Sequence, residues 1–182
     1  MEKLHLSRPK DTSCLENFYC GVEEMDHFIH HGLCKKIGTH HCQLYTLNND
    51  AHKVVAMFAL SSDALFLDSD SKDDLELMSP PSFNDDEPKA DAFWSKSHYP
   101  AVDIAYLAVA KEYRDKHIGK DIILRIVQMM RKQCLLGCQF ITVDAYKTPD
   151  YSAVGFYSKC NFIAAEIPNT GKDTLRMFLP IM

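Results

Sequence analysis

The sequence predicts an α/β (α+β) fold in which strands and helices share one core. Three observations carry this. Strand-like runs occur in both halves of the chain, with helix-like periodicity between them. One run, Val102 to Ala110, is almost continuously apolar, as a central buried strand is. The 182 residues are 46% apolar, enough for a sizeable core in a single domain with room for one insertion.

Leu4 to Arg8 alternates apolar and polar residues and reads as a first strand, broken at Pro9. Ser13 to Phe18 reads as a short helix. Val22 to Cys34 has apolar residues every three to four positions (Val22, Met25, Phe28 or Ile29, Leu33) and predicts a helix stopped by Gly38. Gln43 to Leu47 and Lys53 to Leu67 predict a hairpin about the Asn48-Asn49-Asp50 turn. The stretch from 68 to 99 has no sustained period and contains Pro80, Pro81 and Pro88. It reads as an acidic insertion loop with a short helix near Leu75. Ile118 to Leu136 is the strongest helix, with Ile118, Ile122, Ile126 and Met129 or Met130 on one face. Phe140 to Val143 predicts a strand and Tyr151 to Lys159 a helix. Phe162 to Glu166 and Thr174 to Pro180 predict closing strands about Asn169-Thr170-Gly171.

No apolar run approaches the roughly 18 residues needed to span a bilayer, and the first residues lack a signal-peptide core. The expectation is a soluble, cytoplasmic chain without a membrane partner. Seven cysteines, an odd number, read as free thiols of a reducing compartment. Nine acids and two lysines between Asp68 and Asp91 give that stretch −7, against −5 for the whole chain. Lys111 to Lys132 carries seven bases and three acids, a local +4. A small basic patch on an acidic chain suits a small anionic ligand and disfavours a broad nucleic-acid surface.

The patch falls on a strand–loop–helix unit running from Ile104 to Leu124. Helix N-termini present unsatisfied N–H donors and partial positive charge, so they bind phosphate well. Arg114, Lys116 and Lys120 add full charges, and Gly119 allows a backbone conformation closed to other residues. The physics predicts a phosphate or pyrophosphate site on this loop. The same residues also suit an ordinary helix start with solvated lysines.

Arg114-Asp115-Lys116-His117-Ile118-Gly119 resembles the acetyl-CoA-binding motif of the GNAT superfamily, Arg/Gln-x-x-Gly-x-Gly/Ala, with His117 in place of the first glycine. Downstream, Asp150, Ala153, Phe156, Tyr157 and Phe162 resemble the family's Asn-x-x-Ala-x-x-Phe-Tyr-x-x-x-Gly-Phe. There Asp150 replaces Asn, and Asn161 replaces a glycine whose left-handed turn asparagine tolerates. Near the start, Phe18, Cys20-Gly21, Met25-Asp26 and Phe28-Ile29 resemble an element of one GNAT branch, which includes toxin-type enzymes that acetylate aminoacyl-tRNA.

The resemblance implies a central mixed, mostly antiparallel sheet that splays open beside the strand Ile104 to Val109 and is flanked by helices. It implies acetyl-CoA as co-substrate. Pantetheine would lie along Leu107, Ala108 and Val109, with a backbone N–H there stabilising developing negative charge. Pyrophosphate would lie on Arg114, Asp115, Lys116, His117, Ile118, Gly119 and Lys120. Tyr157 takes the general-acid position. A phenol with a pKa near ~10 is a fair donor to a departing thiolate. The base stays open among Asp103, Glu112 and a water chain. His117 is expected to hold an ordinary φ, with its ring beside the phosphates.

The acceptor implied is a small-molecule or peptide amine. An aminoacyl-tRNA acceptor is disfavoured by the acidic charge, and a homodimer is one open assembly. A catalytically weak acyl-CoA-binding or partner-binding protein on the same fold is the alternative class. His27 and His31, with Cys34 near them, have helical spacing for a metal but no second ligand pair, so no metal is expected. Cys134 and Cys138 read as small apolar residues on the long helix. The acids of the insertion read as a solvated loop anchored by Phe83, Phe93 and Trp94, or as a selector for a cationic amine.

Overall fold

The structure, a computed structural model, describes residues 3–78, 81, 86–132, 137–165 and 173–181. Seven strands run β1 (His5–Ser7), β2 (Gln43–Asn48), β3 (Val54–Phe66), β4 (His98–Val109), β5 (Phe140–Tyr146), β6 (Ile163–Ala164) and β7 (Thr174–Pro180). Among the described residues the α-helices are α1 (Glu23–His31), α2 (Leu33–Gly38), α3 (Ser69–Met78), α4 (Glu87–Trp94), α5 (Ile118–Lys132) and α6 (Val154–Lys159). The strands form one sheet in the order β1-β2-β3-β4-β5-β7-β6. Pairs β1–β2, β2–β3, β5–β7 and β6–β7 are antiparallel. β4 and β5 run parallel, and their register covers Ala101↔Phe140, Val102↔Ile141 and Asp103↔Thr142. Among the described residues no helix is long and apolar enough to cross a membrane.

The predicted strands and most of the predicted helices are found, with three corrections. The helix expected over Val22 to Cys34 is two helices, parted at Gly32. A Cβ there would lie 2.7 Å from the Phe28 ring, which stacks on Tyr106 at 4.3 Å between centroids. The close approach requires glycine, and glycine in turn weakens the helix. The short helix expected over Ser13 to Phe18 is only a single 3₁₀ turn, Ser13–Leu15. The acidic insertion, expected as a loop with a short helix near Leu75, holds that helix as α3 and adds a second, α4. The Asp86 side chain caps α4 by accepting from Lys89 N at 3.2 Å, with Pro88 in the first turn. Phe93 and Trp94 anchor it as expected, Phe93 only 4% exposed. Pro80, Phe83, Cys134, the last predicted turn of α5 and the Asn169-Thr170-Gly171 turn lie outside the described residues.

The chain divides into two compact units, one of residues 1–61 with 104–124 and one of 62–103 with 125–182. The first packs Leu15, Phe18, Ile29, Leu33, Leu44 and Met57 into its core, with Ala108 and Ala110 from the end of β4. The second packs aromatic rings: Phe93, Tyr99, Phe140 and Phe178 meet edge-on or tilted at 4.7–5.9 Å along the series. The Tyr99 hydroxyl donates to the Phe93 and Lys96 carbonyls, which satisfies the one polar atom that this buried ring carries.

Candidate active site

The loop after β4 is fixed by backbone bonds before any ligand is considered. Ala110 N donates to Val55 O at 2.9 Å and Lys111 N to Tyr19 O at 3.0 Å. A single 3₁₀ turn, Lys111–Tyr113, then redirects the chain. The Tyr113 hydroxyl accepts from Asn49 Nδ2 at 3.2 Å. Arg114 donates from its guanidinium to the Cys20 carbonyl. Flanking that carbonyl, Cys20 N and Gly21 N donate to the Asp26 carboxylate at 2.7 and 2.8 Å. Gly21 has φ +79°, and a Cβ on it would lie 3.1 Å from Lys111 Cδ, so a side chain there would be strained and would press on Lys111. The Cys20-Gly21…Asp26 element and the Arg114 motif, separate in sequence, are thus one hydrogen-bonded unit.

Beyond Arg114 the chain enters α5 through two left-handed residues, Asp115 at φ +61° and His117 at φ +60°. Two sequence expectations are corrected here. His117 does not hold an ordinary φ; it adopts the conformation that the motif's glycine would supply. Gly119 does not supply it either: Gly119 lies in the first turn of α5, and among the described glycines only Gly21 has a positive φ. Histidine, aspartate and asparagine enter the left-handed region more readily than other side-chain-bearing residues, which is why this substitution is tolerated.

The first helical bond of α5 runs from Asp121 N to His117 O at 3.1 Å. The N–H groups of Ile118, Gly119 and Lys120 precede it and have no partner within the helix. Lys116, His117 and Lys120 are exposed around them, and Lys116 Nζ sits 4.5 Å from the Tyr113 ring centroid. Convergent donors at a helix start plus two ammonium groups are the chemistry a pyrophosphate requires. Arg114, committed to Cys20, works as a brace. On β4, Ala108 is buried and Leu107 and Val109 are half-buried.

Tyr157 sits on α6, 6% exposed, between Phe156 and Phe162 at ring distances of 5.0 and 5.2 Å. α6 closes through Asn161 at φ +66°, with Phe162 N returning to Tyr157 O at 3.1 Å. Asparagine fills the glycine position of the second motif in the expected conformation. Burial raises the Tyr157 phenol far above its ordinary value, helped by Tyr151 and the negative Asp103. It therefore keeps its proton at any working pH, the state a general acid must start from.

Of the two side-chain bases left open by the sequence, Glu112 is ion-paired with Lys53 at the surface. Asp103 stands in a polar network. Thr142, its register partner on β5, donates to Asp63 Oδ2 at 2.5 Å and lies 3.4 Å from Asp103 Oδ1. Arg176 on β7 pairs with Asp63 and reaches Asp103 and Asp144 at 3.4 Å each. Burial, resisted by Arg176 and reinforced by Asp63 and Asp144, pushes Asp103 up to about 6. Asp63, Thr142, Asp144 and Arg176 were not singled out from sequence. Their signal was a charged or polar residue at alternate positions of strand runs, visible only once the register aligned the four strands.

The remaining sequence candidates do not assemble. His27 and His31 stack at 4.5 Å, with His31 Nδ1 on the His27 carbonyl, and His30 Nε2 meets the Phe18 carbonyl. Burial raises the thiols of Cys14, Cys20, Cys42 and Cys138, with Cys20 at about 11, so none is an activated nucleophile.

The model of the acetyltransferase (GNAT) family matches residues 21–162. No curated protein matches significantly. Among solved structures, a bacterial toxin superposes with TM-score 0.72 at 16% identity, covering 100% of this chain and 92% of its own. AtaT complexed with acetyl-methionyl-tRNAfMet gives 0.68 at 15% identity, covering 98% and 95%. A tyrosine-to-phenylalanine mutant of KacT gives 0.69 at 16% identity, covering 99% and 96%. At these identities the likeness is one of fold.

Proposed function

The chain belongs to the acetyltransferase (GNAT) family, and from that premise we propose an acetyl-CoA-dependent N-acetyltransferase that delivers acetyl to a primary amine by direct attack. The observation that carries this reading is the left-handed His117 immediately before the α5 N-terminus, which preserves the motif's backbone path without its glycine. Acetyl-CoA, when bound, supplies an acyl group activated as a thioester. The N–H groups of Ile118 to Lys120, with Lys116 and Lys120, hold the pyrophosphate. The backbone of Leu107 to Val109 orients the pantetheine arm and offers an N–H to developing negative charge. Asp103 accepts the proton of the attacking amine, and Tyr157 donates one to the thiolate. The acceptor is a small-molecule or peptide amine, and the whole chain acts as one N-acetyltransferase domain carrying α3 and α4 as its insertion.

The test is calorimetry of coenzyme A against pantetheine alone. Coenzyme A should bind much more tightly, because only it carries the pyrophosphate. Equal affinities would remove the loop from the site.

A second acceptor class has a specific observation behind it. The fold matches AtaT, which was solved with an acetylated methionyl-tRNA, over nearly its full length, and the Cys20-Gly21…Asp26 element is built into the cofactor loop. Mass spectrometry after incubation with acetyl-CoA and either aminoacylated tRNA or amine-bearing peptides distinguishes the two acceptors by which one gains the acetyl mass.

A further inference from the structure

Arg176 sits among three carboxylates contributed by three different strands. It pairs with Asp63 of β3 and lies 3.4 Å from both Asp103 of β4 and Asp144 of β5. Asp144 is its direct register partner across β5–β7. Thr142, fully buried, donates to Asp63 and lies 3.4 Å from Asp103. Asp103 and Thr142 are also the last register pair of the parallel β4–β5 ladder. One cation thus faces three acids at the end of that ladder. The side chains of Arg176, Asp63 and Asp103 are each only 20–23% exposed, so solvent screens them little.

Resting on the reading of Asp103 as the proton acceptor, we propose that Arg176 is a positioning residue that orients the Asp103 carboxylate and, opposed by Asp63 and Asp144, sets the pH at which acetyl transfer begins. The groups facing Asp103 are Arg176 from β7, Asp63 from β3, Thr142 and Asp144 from β5, and the Tyr157 phenol, which is electrostatically coupled to it from α6. Arg176 favours the carboxylate, and the two other acids favour the carboxylic acid. A base that titrates near 6 is charged at neutral pH yet still basic enough to take a proton. Without Arg176 the two flanking acids would keep it protonated to a higher pH. Without the Asp63 charge, Arg176 would turn more fully to Asp103 and hold it ionised to a lower one.

The experiment is a carbon-detected NMR titration of the Asp103 carboxyl in the wild type, Arg176→Gln and Asp63→Asn. It is paired with the pH dependence of thiol release from acetyl-CoA with glycinamide as acceptor probe. The Asp103 midpoint should rise in Arg176→Gln and fall in Asp63→Asn. The acid limb of thiol release should move with it, a one-unit rise giving about a tenfold loss of rate below the midpoint. Arg176→Lys should restore most of the wild-type midpoint. A purely structural role would lower turnover in both variants without moving the limbs in opposite directions. If the NMR midpoint does not move in opposite directions, the role of Arg176 is overturned while the acetyltransferase reading stands. If it does but the limb of thiol release stays fixed, Asp103 is not the proton acceptor and both the base assignment and this proposal fail.

Discussion

A histidine at φ +60° is held there against a backbone cost of order 1 kcal/mol, even though histidine bears it better than most residues. His117→Gly should therefore stabilise the fold by up to about 1 kcal/mol in denaturant unfolding, and it should tighten coenzyme A binding in calorimetry. Binding that weakens, more at pH 6 than at pH 8, would show instead that the imidazolium contacts the phosphates. The position also marks a limit of motif reading: the residue type departs from the pattern, but the backbone angle does not. Tyr157 shows the converse. Its motif position named it, and the structure adds that burial keeps its phenol protonated. Tyr157→Phe should lower turnover by roughly 10² to 10⁴ with acetyl-CoA affinity unchanged. Wild-type turnover would leave the ring as a packing partner of Phe156 and Phe162.

At the scale of elements, the turn before α1 carries the clearest consequence. Asp26 accepts from the N–H groups of Cys20 and Gly21, and the Cys20 carbonyl between them accepts from Arg114. Charge-assisted bonds of this kind contribute about 1.5–3 kcal/mol each at most, and their loss orphans two donors. Asp26→Ala should destabilise the protein by about 2–4 kcal/mol in urea and weaken coenzyme A binding, because the brace of the cofactor loop loses its seat. An unchanged affinity would separate the two. The turn after α6 is milder. Asn161→Gly should be neutral within about 0.5 kcal/mol, whereas Asn161→Val should cost 1 kcal/mol or more, since a β-branched side chain resists the left-handed region. The break between α1 and α2 and the second helix of the insertion depart from the sequence expectation for opposite reasons. Gly32 breaks a sound period to admit a ring, and α3 and α4 form without a strong period because anchors at Leu75, Phe93 and Trp94 suffice.

At the level of the whole protein, Asp103 contributes a pH dependence of stability opposite in sign to that of the lowered carboxylates Asp11 and Asp68. Its folded value, about 6, lies above the unfolded value near ~3.9. Between those two pH values the folded state holds a proton that the unfolded chain has lost. Raising pH through that window therefore costs stability, by at most about 3 kcal/mol. Unfolding midpoints measured from pH 4 to 7 should fall as pH rises, and Asp103→Asn should flatten that slope. An unaltered slope in Asp103→Asn would place the dependence on other groups.

The strand series, the buried run of β4, the amphipathic α5 and the loop that joins them are legible along the chain, because periodicity and apolar content act locally and need no partner to be read. The sequence also named Tyr157, Asn161 and the Arg114 to Lys120 loop through motif spacing. It left the base open among Asp103, Glu112 and water, and it passed over Asp63, Thr142, Asp144 and Arg176. Those four lie on three strands, from position 63 to position 176, and become one network only when register sets Asp103 opposite Thr142 and Asp144 opposite Arg176. The bond from Arg114 to Cys20 is likewise invisible along the chain, where 94 positions separate the pair. Electrostatic coupling depends on distance in space, and only the tertiary structure supplies that distance.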